Sequence, residues 1–230
     1  TPIKSSAASD VYKRQLLGSD NVSALTIASF VGRDLVSRRG SGTPIAAFVS
    51  EMNNLARSLR MTKTRFTAPH GLDAGNAVST SCALDMALLG MYSMQNPAFC
   101  YIVSQASRRI GVQSQTKGTT MYDISNNNKM MSTPGVDGIK AGSSRAAGQC
   151  LLLSATRNAI ARRSPQTGTE VIYPQRMIIA VLGTGERYSL ARQMLNTGWR
   201  VWENWQASGM DMKDPKEFVQ LPVKSGTEKR

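Results

Sequence analysis

Val136-Asp137-Gly138-Ile139-Lys140-Ala141-Gly142-Ser143-Ser144, followed by Arg145-Ala146-Ala147-Gly148-Gln149-Cys150-Leu151-Leu152-Leu153-Ser154-Ala155, is the stretch on which the reading of this chain turns. A lysine with a glycine two positions later, at the end of an alternating run and just before a long apolar strand, reads as a sheet edge whose backbone a ligand approaches closely. Lys140 supplies a fixed cation, and the small residues after it leave backbone N–H groups open to an anionic or carbonyl group. A hairpin turn with a solvated lysine has the same pattern, and the triplet alone does not separate the two.

Working outward, Ser19-Asp20-Asn21 stands ahead of the helical run Val22-Ser23-Ala24-Leu25-Thr26-Ile27-Ala28. A serine or aspartate there is an ordinary helix cap, and Val22, Leu25, Ile27, Ala28 and Val31 fit the buried side of that helix. The triplets S-x-x-K, S-D-N and K-T-G together mark penicillin-binding proteins and class A β-lactamases. The second, and an approximation of the third, occur here in that order.

The 230 residues, 41% of them hydrophobic, suit one main domain with a real core. No apolar run approaches the ~20 residues that cross a bilayer, and no signal-peptide pattern opens the chain. Residues 1–15 have no apolar periodicity and read as a non-native leader, 16–208 as the folded domain, and 209–230 as a tail or linker. A net charge of +13 is compatible with nucleic acid, an anionic membrane surface or an anionic wall polymer. The basic residues are scattered and no dense stripe is interleaved with aromatics, which argues against nucleic acid. Cys82, Cys100 and Cys150 fit no metal spacing and read as buried thiols; no metal or cofactor is expected.

Further along, Thr43 caps and Pro44 opens a helix running through residue 60, with Ile45, Phe48, Val49, Met52, Leu55, Ala56 and Leu59 inward. His70, the only histidine, reads as a loop-packing residue. Helices are expected over residues 81–94, with Leu84 inside, and from Asn96-Pro97. Residues 108–114 alternate weakly, 149–155 and 176–182 read as strands, and the basic stretch 157–169 between them reads as a mobile loop. Residues 186–199 read as a helix that Asn196-Thr197-Gly198 closes. Helices first and strands late imply an α+β fold, an antiparallel sheet with helices packed on it.

Phe48-Val49-Ser50-Glu51-Met52-Asn53-Asn54-Leu55-Ala56, Thr64-Arg65-Phe66-Thr67-Ala68-Pro69-His70-Gly71-Leu72-Asp73, and Ser79-Thr80 ahead of Asp85-Met86-Ala87-Leu88-Leu89 closely resemble the serine D-alanyl-D-alanine carboxypeptidases. So do the stretch around Lys140 and residues 177–198, and the resemblance covers about residues 16–202. It implies a penicillin-recognising, transpeptidase-like fold, here incomplete at the N-terminus, with a five-stranded antiparallel sheet flanked by helices. It implies removal of the terminal D-alanine from peptidoglycan stem peptides through a serine acyl-enzyme, with β-lactam antibiotics as ligands, in the bacterial cell envelope. Family members often add a β-rich domain and a membrane-associating C-terminal segment.

By that resemblance Ser19 belongs to the proton relay, and Asn21 bonds the substrate's backbone and the nucleophile's lysine. Lys140 holds positive charge for proton transfer and the terminal carboxylate, and the Ser143 N–H is an oxyanion-hole donor on the Ala141-Gly142-Ser143 edge. Two departures stand out. The family's S-x-x-K, expected on a helix well before Ser19, has no match there; Thr1-Pro2-Ile3-Lys4 fits only with threonine, and Ser114-Gln115-Thr116-Lys117 lies after the triplet in a turn-like stretch. Ala141 stands where the family usually has threonine, with Ser143 and Ser144 as candidates to replace the hydroxyl. Lys224-Ser225-Gly226 is a coincidental repeat of the triplet. A class A β-lactamase would need a deacylating glutamate between Asn21 and Lys140, and no loop there matches. A catalytically silent peptidoglycan-binding protein is the other alternative.

Overall fold

The computed structural model describes residues 5–72, 78–114, 118–163 and 168–209, side chains of 5–7, 113 and 114 excepted. The segments expected at 1–4 and 210–230, residues 115–117 of the Ser114 motif, and Lys224-Ser225-Gly226 lie outside them. Among the described residues five helices come first: α1 Ser5–Leu16, α2 Asn21–Arg39, α3 Pro44–Ser58, α4 Ala83–Ser93 and α5 Pro97–Val103. Strands β1 Ser107–Ser114 and β2 Gly118–Ser125 follow, then a short 3-10 turn, Lys129–Ser132, and β3 Val136–Ser144, β4 Gly148–Arg163 and β5 Glu170–Thr184. Helix α6, Arg187–Ala207, ends the described part.

All strand pairs are antiparallel, but the five strands divide between a β1–β2 hairpin and a sheet in the order β3-β4-β5, where a single sheet was expected. The hairpin has its own support: Asp10 of α1 accepts the Gly111 N–H at 3.2 Å. Most of the stretch read as a leader is thus helical, although no apolar stripe announces it.

The apolar run of β4 is buried on both faces, which is why it does not alternate. Leu151, Leu153 and Ala155 join Ile179 and Val181 of β5 against Ala191, Leu195 and Trp199 of α6. On the other face Leu152 and Ala180 meet Met94, Val103 and Ile139 under α4 and α5. A third cluster, Ala56, Leu59, Met61 and Leu88, joins α3 to α4. The result is a helix–sheet–helix sandwich with β3 at one edge.

Several expected faces are corrected. Val22 and Leu25 are 68% and 38% exposed; of the expected face Ala28 is buried and Ile27 and Val31 are half-buried, and Ser23, Ala24 and Gly32 complete the buried side of α2. Leu84 is also exposed, and the three thiols are free and half-buried. The expected basic loop is mostly strand: Arg157 pairs with Gln175, Ile160 with Tyr173 and Arg163 with Glu170. Arg157 stacks over the Trp199 ring at 4.4 Å and pairs with Glu203 at 2.6 Å, so its charge sits on α6. Gly198 does not close α6; a Cβ there would lie 2.9 Å from Met177 Sδ, so this glycine admits the close packing of helix on sheet.

Small residues on α2 set its approach to α3. A Cβ on Gly32 would fall 1.9 Å from the Pro44 carbonyl oxygen, which is backbone and cannot step aside. Helix propensity alone favours Gly32→Ala by ~1 kcal/mol, whereas overpacking costs ~1–3 kcal/mol or more. Urea unfolding of Gly32→Ala is expected to show net destabilisation of about 2 kcal/mol or more; a variant as stable as the parent would refute the close contact.

Candidate functional site

The α1–α2 turn is built to aim a hydroxyl. Ser19 has φ 57°, a left-handed conformation costly for a residue with a side chain. Asp20 then caps α2, accepting the Ser23 N–H at 3.0 Å and the Ser23 hydroxyl, with Arg14 at 3.2 Å. Burial acts to raise the Asp20 pKa, but the Ser23 bonds and the Arg14 charge outweigh it, and the carboxyl is held below its usual value. The triplet is therefore a cap and something more: its aspartate caps, and its serine is turned toward β3.

Lys140 meets that serine. Its Nζ donates to Ser19 Oγ and, at 2.6 Å, to the Ala141 carbonyl. No carboxylate pairs with it among the described residues. Loss of hydration, and secondarily the charge of Arg187, push its pKa down to about 8.

Arg187 was not singled out in the sequence. It opens α6, donates to the Gly142 carbonyl at 2.5 Å and the Cys150 carbonyl at 3.4 Å, and lies over the Tyr188 ring at 4.8 Å. Its Nε–H is buried and has no partner among the described residues. Two cations thus act on the β3 edge, with no acid bonded to either among the described residues. Such an arrangement favours an anion with planar oxygens.

The remaining candidates separate. Asn21 is the first residue of α2, two positions beyond Ser19, and half-buried. Ala141 is 2% exposed and belongs to the cluster beneath α6, so it faces Lys140 with its carbonyl and not its side chain. Gly142 is exposed, and a Cβ built on it would meet nothing within 4 Å, leaving open space over the edge. Ser143 is exposed, whereas Ser144 Oγ accepts the Ala147 N–H at 3.0 Å within the β3–β4 turn. His70 accepts the Leu72 N–H at 3.2 Å inside its own loop. Ser114 ends β1 opposite Gly118 and opens no helix. No group of three His, Cys, Asp or Glu side chains converges as metal ligands would among the described residues.

Residues 4–164 match the family profile described as D-alanyl-D-alanine carboxypeptidase. The chain is 28% identical over 204 residues to D-alanyl-D-alanine carboxypeptidase DacC of Escherichia coli, covering 86% of this chain and 42% of that protein. It is 29% identical over 189 residues to DacA of the same organism, covering 80% of this chain and 40% of the relative. The chain thus spans about two fifths of the length of these curated relatives. Among solved structures, a Streptomyces DD-transpeptidase matches with a TM-score of 0.68 at 24% identity, over 84% of this chain and 67% of that one. A Listeria monocytogenes penicillin-binding protein solved in an ampicillin-bound form matches with a TM-score of 0.57 at 26% identity, with the same coverage.

The half-buried ammonium leaves a signature in stability. A lysine at about 8 in the fold and 10.5 as its ordinary value binds fewer protons folded than unfolded between those limits. Stability therefore carries the full penalty below pH ~8 and regains it as pH rises toward ~10.5, a swing on the order of 3 kcal/mol. In denaturant titrations across that window, the stability of the parent minus that of Lys140→Met is expected to rise with pH. Arg187→Gln is expected to move the lower limit upward, since a neighbouring positive charge is removed. A difference that stays flat with pH would mean that Lys140 is solvated.

Proposed function

This chain belongs to the D-alanyl-D-alanine carboxypeptidase family, and from that premise we propose that its protein is a serine-type enzyme that removes the terminal D-alanine from peptidoglycan stem peptides. The observation that carries the reading is the Lys140 ammonium on Ser19 Oγ, joining α2 to the β3 edge. Lys140 and Arg187 provide the positive potential for the substrate's terminal carboxylate, and the open backbone at Gly142 gives it room. Ser19 and Lys140 hold and move a proton, Asn21 meets the substrate's amide, and the Ser143 N–H serves the developing oxyanion. β-Lactams, whose carboxylate and strained amide address the same groups, are the expected inhibitors. The workplace is the bacterial envelope, on the periplasmic or extracytoplasmic side; no described helix is long and apolar enough to cross a membrane.

The acyl-forming serine is not among the residues gathered here, since no Ser-x-x-Lys opens a described helix. Two forms therefore test the proposal: the 230 residues, and the longest reading frame that contains them. Incubation of the 230-residue chain with benzylpenicillin is expected to give no stable mass increase, while the longer form releases D-alanine from a stem-peptide mimic. In the longer form Arg187→Gln is expected to raise KM about tenfold or more, with a smaller change in kcat, if its charge holds a ground-state carboxylate. An adduct on any serine within residues 16–202 of the shorter chain, Ser114 included, would overturn the statement that the acyl-forming serine is not among them. A longer form that binds peptidoglycan fragments and never releases D-alanine would be a binding protein.

A further inference from the structure

The loop between β2 and β3 carries three successive asparagines, and they do different things. Asn126 Nδ2 donates to the Val103 and Gln105 carbonyls, both at 3.1 Å, and anchors the end of α5. Asn128, 1% exposed, donates to the Gly138 carbonyl at 3.1 Å and anchors β3. Asn127 reaches the site itself: its Nδ2 donates to Ser19 Oγ at 3.2 Å and to the Gly18 carbonyl at 3.1 Å. A carbonyl only accepts, so the amide must present its NH2 to this pair. The Asn127 backbone N–H donates to the Leu17 carbonyl at 3.0 Å, and its carbonyl accepts the Tyr188 hydroxyl at 3.0 Å. One residue thus holds both the turn that carries Ser19 and the start of the helix that carries Arg187.

A serine hydroxyl has two acceptor positions and one proton. Lys140 Nζ fills one acceptor position of Ser19 Oγ, and Asn127 Nδ2 fills the other. We propose that Asn127 is a positioning residue for the Ser19–Lys140 pair, occupying the second acceptor position so that the Ser19 proton is the group presented to bound substrate. An aspartate there would reverse the polarity, accepting that proton and turning the hydroxyl away. An alanine would let the hydroxyl rotate. The backbone bonds of residue 127 survive either change, so its tie to Leu17 and Tyr188 is separable from its hold on Ser19.

This inference rests on the reading of Ser19 and Lys140 as part of the site, but its test needs no turnover, so failure of the catalytic proposal leaves it decidable. The side-chain NH2 signals of Asn127 are followed by NMR in the 230-residue chain through the Lys140 titration. They are expected to shift with a midpoint of about 8, together with Lys140. The shift should disappear in Lys140→Met and fall to a small fraction in Ser19→Ala, where the shared oxygen is gone. The other charged or titratable groups near the turn are Arg14 and Asp20, Lys129, and Arg187 and Tyr188 on α6; any titration that survives in Lys140→Met belongs to them. A full-sized shift in Ser19→Ala, or none in the parent, would overturn the proposal. A second measurement covers a misfolded Ser19→Ala: Asn127→Asp is expected to raise the Lys140 midpoint by more than Asn127→Ala changes it. Equal midpoints in the two variants, with both folded, would reduce Asn127 to a loop anchor.

Discussion

The site depends on an ammonium group partly withdrawn from water, with no carboxylate among the described residues to balance it. Desolvation favours the neutral amine, the charge of Arg187 favours it further, and Lys140 is drawn down to about 8. A charged group in that position tolerates little slack in its acceptors. Its two acceptors are accordingly fixed by backbone: Ala141 O by the β3 ladder, and Ser19 Oγ by a left-handed residue locked against the cap of α2. The strain at Ser19 is retained because the Asp20 cap, the Lys140 bond and the Asn127 bond all specify the same turn.

That rigidity is transmitted from the double-faced core. Leu151 and Leu153 point to α6, and Leu152 to α4 and α5, so the strand beside β3 is clamped from both sides. Arg176 reinforces the far end, bonding the Ser154 hydroxyl and pairing with Asp137 at 2.8 Å. Helix α6 contributes twice: Trp199 and Leu195 seal the sheet, and the same helix delivers Arg187 to Gly142. A change in how α6 packs would therefore alter the electrostatics of Lys140 without touching it.

How much of this was legible in the sequence depended on whether a residue acted locally. Thr43 and Pro44 start α3 as their types dictate, and the Asp20 cap follows from its position alone. The order of the Ser-Asp-Asn and Lys-Ala-Gly triplets pointed to Ser19 and Lys140, which the fold brings into contact across 121 positions. The buried face of α2 was placed correctly at Ala28 but misjudged at Val22 and Leu25, because the side of α2 that packs inward continues through the small residues Ala24 and Gly32 and not through those larger ones. The β4–β5 extension was misjudged because arginines read as loop, whereas here their guanidinium groups find Trp199, Glu203 and the Gln206 carbonyl on α6. Arg187 and Asn127 carried no local signal at all: one was an arginine among 28 basic residues, the other the middle member of a polar run.

The net charge of +13 is a poor guide to the site for the same reason. Arg38 is paired with Asp34, Arg39 with Glu51, Arg109 with Asp123 and Arg157 with Glu203, all at solvent-exposed positions. Pairs of that kind contribute ~0–1 kcal/mol each and are screened by salt. Lys140 and Arg187 differ in having carbonyls and a hydroxyl as their only described hydrogen-bond acceptors, so their field at the β3 edge is not cancelled locally. An anionic ligand entering over Gly142 would supply the missing charge, restoring Lys140 toward its ordinary value as it binds. Binding and protonation would then be coupled: such a ligand would be held more tightly where the lysine is charged, and its departure would again favour the neutral amine.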